Sequence, residues 1–269
     1  MGAVHRLEAR GARGDIGPAH GVPPSGPVPV EVAPGAEVPG PGPDATAAAG
    51  PAPAVPGGRA GWRRWTRLLP TPTGTPFTFG YALVLLATSL FAEYGDPATV
   101  SALLHGSSTD VAHLARTPLL VLVASALWVA GGLFSPYAIG FVVVLTALER
   151  RTGARRTAAV FVLGHVVATL ATEIPVGLSV LAGYLPGSSL HRLDYGISFG
   201  LMASVGALAG LLGPVGRGVV LGSASVMLVQ DLLALEDPLA DWGHPMALLI
   251  GVACWPLVRL RASGRGPGG

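Results

Sequence analysis

The sequence is poor in charge: Asp, Glu, Lys and Arg together make up only 12% of its 269 residues. Soluble globular domains carry about twice that fraction, so the scarcity argues against an ordinary soluble protein. The net charge of +2 is too small to indicate a nucleic-acid-binding protein. Half of the residues are hydrophobic and 39 are glycine, which is typical of a protein whose helices pack closely within a lipid bilayer.

Cysteine is almost absent, because Cys254 is the only one in the chain. It cannot form an internal disulfide, and its apolar neighbours indicate a small buried residue. The histidines are scattered, and His105 and His113 lack the tight spacing that a zinc site requires. The glycine runs lie in apolar stretches without an adjacent lysine, unlike a phosphate-binding loop. The sequence therefore predicts neither a metal nor another cofactor.

The amino-terminal segment lacks the compact apolar core of a secretory signal. Residues 1–60 are rich in Pro, Ala and Gly and cannot bury enough apolar surface to offset the entropy of ordering. They are predicted to form a disordered tail, either a plain linker or a partner-binding segment. Residues 61–67 interleave Trp with Arg, which indicates an anchor at the membrane interface. Nucleic-acid stacking is the weaker alternative, since a long apolar run follows at once.

Six apolar runs are candidates for membrane spans, which need about 20 mostly apolar residues each. They cover residues 77–93, 136–148, 157–178, 195–212, 219–235 and 244–260. The stretch 118–148 is too long for one span and is interrupted by Gly131, Gly132 and Pro136. A re-entrant or interfacial piece is therefore predicted at 119–129. The predicted fold is an all-α membrane domain of six transmembrane helices over residues 61–262, with a short tail at 263–269.

Arginine clusters predict the orientation of these spans. They lie at 63–67, 150–156, 217 and 259–265, whereas the alternate loops carry acidic or mixed charge. Positive charge on every second loop predicts that both termini are cytoplasmic. The chain is thus expected to be an integral protein of the plasma membrane, with the lipid bilayer as its surroundings.

A serine and a histidine open the fourth and sixth runs. Ser198 lies between Gly196 and Gly200, and His244 follows Asp241 by three residues. With the predicted orientation both enter from the outer side, within one or two turns of the boundary at about 1.5 Å per residue. Histidine is the usual base that activates a serine nucleophile. An α/β-hydrolase elbow is excluded because no buried strand precedes the serine.

Over residues 77–260 these features resemble the rhomboid family of intramembrane serine proteases. That family has six core spans, a Gly-x-Ser-Gly motif at the outer end of span four and a catalytic histidine in span six. Gly196 and Ser198 fit the motif, and His244 followed by Gly251 one heptad later fits the histidine and its packing glycine. The resemblance implies a rhomboid-like bundle with Ser198 and His244 as a catalytic dyad that cleaves membrane-anchored proteins.

Three further segments share this resemblance. Residues 148–153 resemble the family's Glu-x-x-x-Gly element after span two, with Glu149 and Gly153 at its ends. Residues 118–128 resemble the membrane-dipping first loop. Ala203 and Gly206 lie where the family has small residues later in span four.

The chain also departs from the family pattern. Phe199 separates Ser198 from the following glycine, and Met202 occupies the place of a tyrosine that stacks on the histidine. Leu133 and Tyr137 stand where the family has the His and Asn side chains of its oxyanion hole. Removing one such donor costs roughly 100- to 1,000-fold in turnover. A catalytically inactive relative that binds transmembrane partners is therefore the alternative function.

The remaining polar groups have two interpretations each. Gly196 and Gly200 also have the spacing of a small-residue helix-packing motif. Asp194 and Asp241 are candidates for orienting the dyad or for simple solvated loop carboxylates. His165 and Glu173 lie on one face of the third run, where an interhelical hydrogen-bond lock is favoured over a proton pathway. A transporter would require inverted repeats with broken helices, and the sequence has none.

Overall fold

The computed structural model describes residues 69–234 and 238–260, with side chains from 241 onward in the second segment. The predicted tail at 1–60, the anchor at 61–67 and the short tail at 263–269 lie outside the described residues. The described part is all-helical, without a strand. Its α-helices are α1 Pro76–Tyr94, α2 Pro97–Gly106, α3 Val111–Arg116, α4 Pro118–Ser125, α5 Pro136–Thr152, α6 Ala154–Leu181, α7 Ser198–Ala209, α8 Pro214–Ala234, α9 Pro238–Ala253 and α10 Trp255–Arg259, with a 3₁₀ turn at Gly187–His191.

Proline marks the start of most of these helices. The helices α1, α2, α4, α5, α8 and α9 all begin at a proline. The ring fixes φ near the helical value, and its missing N–H would have no partner in the first turn. The starts of these six helices can therefore be read from the positions of the prolines in the sequence.

Within residues 69–234 and 238–260, three helices are long and apolar enough to cross a membrane: α1, α6 and α8, with 19, 28 and 21 residues. They coincide with the first, third and fifth predicted spans. The other three predicted spans correspond to shorter helices, α5 with 17 residues, α7 with 12 and α9 with 16. At about 1.5 Å per residue α7 is roughly 18 Å long, well short of a hydrocarbon core of about 30 Å.

The predicted split of the 118–148 stretch is confirmed, although the first piece ends as a helix at Ser125 rather than at 129. Gly131 and Gly132 have φ values of 78° and 79°, which side chains with a Cβ rarely adopt. Ser135 then caps the amino terminus of α5, because its side chain accepts a hydrogen bond from the Ala138 N–H.

Helix α7 forms the centre of the bundle, with ten of its twelve residues buried. Small residues let it approach its neighbours closely: Gly251 of α9 faces the Ala203 carbonyl, and Gly206 faces the Leu248 carbonyl. Gly164 of α6 faces the Ala203 methyl group. Close packing through small residues is typical of helices within membranes. The apolar faces of α1 and α8 are instead largely exposed, as expected of surfaces that contact lipid.

Glu149 joins α5 to the beginning of α1. Its carboxylate is only 2% exposed and accepts the N–H groups of Phe77 at 3.0 Å and Thr78 at 2.7 Å, together with the Thr78 hydroxyl at 2.6 Å. The first N–H groups of a helix have no partner within it, and the helix dipole favours an anion there. Gly153 follows with φ 86°, which permits the tight turn into α6. Residues 149–153 thus fix the arrangement of α1, α5 and α6.

Candidate active site

An open pocket of about 450 Å³ lies where α7 begins, between the loop after α4, the end of α8 and the first half of α9. Its polar lining contains both residues of the predicted dyad. The polar and aromatic side chains of the lining are Tyr137, Asp194, Tyr195, Ser198, Phe199, Asp231, Asp241 and His244. The structure therefore brings Ser198 and His244, which are 46 positions apart in the sequence, to one cavity.

Ser198 is the first residue of α7 and is half-buried. The preceding residue, Ile197, provides no side-chain cap, and the first helical hydrogen bond runs from the Leu201 N–H to the Ile197 carbonyl. The N–H groups of Ser198, Phe199 and Gly200 therefore precede the intrahelical ladder. An uncapped helix amino terminus is a favourable place for an anion.

The loop before Ser198 is held by backbone hydrogen bonds to two distant segments. The Thr109 N–H donates to the Asp194 carbonyl at 2.8 Å, and the Asp194 N–H donates to the Ser108 hydroxyl at 3.0 Å. The Gly196 N–H donates to the Ser125 carbonyl at 3.0 Å. Gly196 has φ 132°, a conformation that side chains disfavour. Gly196 thus supplies the bend by which the chain enters α7.

His244 is buried between two aromatic rings. Tyr137 of α5 stacks on the imidazole with ring centroids 6.2 Å apart and planes at 27°. Phe199 of α7 meets it edge-on, with centroids 5.3 Å apart and planes at 75°. Gly243 permits this contact, because a Cβ there would collide with the Phe199 ring. The rings restrict the tilt of the imidazole from both sides.

Tyr137 is the lining residue whose contact with His244 the sequence did not reveal. Comparison with the family pattern identified it only as a departure from the family's amide donor. Met202, which occupies the place of the family's stacking tyrosine, lies in an apolar cluster with Phe199 and Leu248. The aromatic ring that stacks on the histidine thus comes from α5 rather than from one turn after the serine. One feature of the sequence could have predicted this contact: Tyr137 is aromatic and stands at a position where the family has a side chain that faces the active site.

The two candidate carboxylates differ in their surroundings. Asp194 accepts a hydrogen bond from the Thr109 hydroxyl at 2.9 Å, so it helps to hold the loop as well as lining the pocket. Asp241 is only 7% exposed, and its Oδ2 has no hydrogen-bond partner among the described residues. A buried carboxylate oxygen without a donor is costly.

His165 and Glu173 do not line this pocket. The His165 Nε2–H donates to the Leu122 carbonyl at 3.0 Å and lies 3.3 Å from the Ser125 hydroxyl. It therefore ties α6 to α4, next to the carbonyl that holds Gly196. Glu173 forms an ion pair with Arg192 at 3.1 Å, which ties α6 to the loop that precedes Asp194.

The remaining glycines of the motif have packing contacts. A Cβ at Gly200 would lie 2.6 Å from the Phe161 ring, and one at Gly251 would collide with the Ala203 carbonyl. Both positions therefore require a residue without a side chain. Within the described ranges, no three His, Cys, Asp or Glu side chains come close enough together to hold a metal ion.

A family model described as "Rhomboid-like protein" matches residues 73–264. The matched range covers most of the chain and includes α1 to α10 with the whole pocket. No curated protein and no solved structure matches the chain significantly.

Proposed function

The chain belongs to the rhomboid-like family, and on that basis we propose that it is an intramembrane serine protease in which Ser198 and His244 form the catalytic dyad. The proposal rests above all on one observation, that both residues line the same pocket. Its substrates are membrane-anchored proteins, and it acts as an integral protein of the plasma membrane with both termini in the cytoplasm. No cofactor takes part in the reaction.

The chemistry follows from the two side chains. His244 takes the hydroxyl proton of Ser198 while the Ser198 Oγ attacks the carbonyl carbon of the scissile peptide bond. The protonated imidazole then gives that proton to the leaving amine, and the C–N bond breaks to leave an acyl-enzyme ester. Water, deprotonated by His244, hydrolyses the ester and restores Ser198. The tilt imposed by Tyr137 and Phe199 supports this exchange because it limits the positions of the ring nitrogens.

The oxyanion of the intermediate needs hydrogen-bond donors. The family's side-chain donors are replaced here by Leu133 and Tyr137. The uncapped amino terminus of α7 offers the backbone N–H groups around Ser198 instead, where the helix dipole also favours negative charge. Backbone donors are rigid and therefore lose little free energy to reorganisation during the reaction.

Six spans remain part of the proposal, although α7 is short. Because α7 is enclosed by other helices, it does not need to match the thickness of the bilayer along its whole length. A short central helix also places its amino terminus, and therefore Ser198, below the membrane surface. The loop at 193–197 then leads water and substrate from the outer side to the pocket.

Activity-based labelling tests the dyad directly. Full-length protein in liposomes is expected to react covalently with a fluorophosphonate at Ser198, and Ser198→Ala should abolish the label. His244→Ala should slow labelling by about 100- to 10,000-fold, since general-base catalysis contributes that much. Ser204→Ala is the matched control, because the Ser204 hydroxyl is buried in the same helix and donates to the Gly200 carbonyl at 2.8 Å. Labelling that survives Ser198→Ala would contradict the proposed nucleophile.

The Tyr137 ring gives a second, smaller prediction. Tyr137→Ala should lower the labelling rate about 2- to 10-fold, since aromatic contacts of this kind are worth about 0.5–1.5 kcal/mol. Tyr137→Phe keeps the ring and should restore the rate to within about 2-fold. The effect should appear in the rate at saturating probe rather than in the probe concentration for half saturation. If Tyr137→Phe is as slow as Tyr137→Ala, the hydroxyl rather than the stacked ring is required.

An inactive, partner-binding relative is the second candidate function. The replacement of both side-chain donors by Leu133 and Tyr137 favours it. In that case the wild-type protein is neither labelled nor able to cleave any transmembrane substrate, yet it retains defined transmembrane partners. Those partners should be captured equally by the wild-type protein and by Ser198→Ala.

A further inference from the structure

The pocket beside Ser198 is lined by acidic side chains. Three carboxylates line it, from Asp194, Asp231 and Asp241, and the described part of the lining includes no arginine. The chain contains no lysine at all. The nearest arginine before the loop, Arg192, directs its guanidinium to Glu173 at 3.1 Å. The pocket therefore has a negative wall, and His244 is its only side chain among the described lining residues that can carry a positive charge.

Asp241 is the carboxylate that points to a ligand. It is more than nine-tenths buried, lines the pocket, and its Oδ2 has no hydrogen-bond partner among the described residues. It precedes His244 by three residues in α9, and residues at that spacing lie on one helix face. A cationic group that bound beside Ser198 would supply the missing donor and compensate the buried charge.

Asp231 adds to the negative wall from the opposite helix. It lies in the last turn of α8, which ends at Ala234. The carboxyl end of a helix carries partial negative charge, so an acidic residue there opposes the stability of the helix. The same placement strengthens the attraction for a cation in the pocket.

From these observations we propose that the pocket binds a cationic side chain of the substrate, arginine or lysine, a few residues from the scissile bond. This inference rests on the proposed protease function, because it names the feature by which that site selects its substrates. The volume of about 450 Å³ lies in the range of ligand pockets, roughly 300–1,000 Å³. Asp241 binds the charge within the pocket, and Asp231 and Asp194 raise its local concentration.

Binding to an inactive variant tests the inference without requiring turnover. Full-length Ser198→Ala protein is placed in liposomes of zwitterionic phosphatidylcholine, which does not itself attract cations. The probes are synthetic Leu/Ala transmembrane peptides whose outer extension carries Arg, Gln or Glu at one position, moved along the extension. The Arg peptide should bind about 10- to 100-fold more tightly than the Gln peptide at its best position. The Glu peptide should bind more weakly than both, and the preference should decrease with salt.

Variants identify the carboxylates that carry the preference. Asp241→Asn should reduce the Arg-over-Gln preference to about 3-fold or less, and Asp231→Asn should reduce it partially. Asp96→Asn is the matched control and should leave it unchanged, because the Asp96 carboxylate caps α2 away from the pocket through the Thr99 N–H and hydroxyl, both at 2.8 Å. These two hydrogen bonds hold the pKa of Asp96 below its ordinary value. If Asp241→Asn fails to fold, Asp231→Asn alone decides the question.

The outcomes separate this inference from the protease proposal. Equal affinity for the Arg and Gln peptides, a preference that survives in both pocket variants, or no measurable binding of any Arg peptide overturns the cation site. If the wild-type protein is labelled at Ser198 in those cases, the protease proposal stands. If the Arg preference is found but Ser198 is neither labelled nor required for cleavage, the protease proposal is overturned instead.

Discussion

Cleavage of a transmembrane substrate is expected to fall below detection in Ser198→Ala and by about 100- to 10,000-fold in His244→Ala. Ser198 provides the atom that forms the acyl-enzyme, so its loss leaves no route to the ester intermediate. His244 moves the proton at both steps, and its ring is held between Phe199 and Tyr137 at centroid distances of 5.3 and 6.2 Å. The measurement is the rate of product formation from a fluorescent transmembrane substrate in liposomes.

Two controls make this result specific. His191→Ala removes an exposed histidine of the 3₁₀ turn outside the pocket, and cleavage should stay within about 2-fold of the wild type. Ser204→Ala removes a hydroxyl of the same helix that is buried and bonded to the Gly200 carbonyl, and cleavage should again stay within about 2-fold of the wild type. Undiminished cleavage in either single variant would show that the dyad is not the catalytic centre.

The largest effect on stability is expected from Gly251→Val. A Cβ at this position would collide with the carbonyl of Ala203, which belongs to the backbone of α7. Backbone atoms cannot rotate away as a side chain can, so α7 and α9 would have to separate along the contact. We expect a loss of about 3 kcal/mol or more in the free energy of unfolding, at the upper end of overpacking effects. Thermal unfolding in detergent measures this loss.

A glycine in open surroundings provides the control. At Gly222 of α8 an added Cβ would meet no atom within 4 Å, so Gly222→Ala should leave stability unchanged or raise it by about 0.4–1 kcal/mol. Gly251→Val should also slow fluorophosphonate labelling, because the same contact aligns the helices that carry Ser198 and His244. An unchanged unfolding temperature in Gly251→Val would show that α7 and α9 do not pack closely at this glycine.

Much of the helical layout could be predicted from the sequence because it depends on local features. The apolar runs, the prolines that start the helices and the glycines at 131 and 132 act within a few residues of the elements they define. Helix lengths were harder to predict. Only three of the six predicted spans form helices that are long and apolar enough to cross a membrane. An apolar stretch indicates that a segment is kept away from water, by protein or by lipid, whereas its helical length depends on where caps and neighbouring loops end it. The segment 195–212, for example, is helical only from Ser198 to Ala209.

The order of Gly196, Ser198 and His244 along the chain was sufficient to predict the family. The catalytic role of Ser198 and His244 stays a prediction, although the structure places both residues in one pocket. The tertiary structure alone decided that Tyr137 stacks on the histidine, that Glu149 caps α1 and that Asp241 keeps an oxygen without a donor among the described residues. Each of these three features depends on how the helices are rotated and how far they are shifted along one another. Hydrophobic periodicity indicates which face of a helix is buried. It does not indicate which side chain of a distant helix contacts that face.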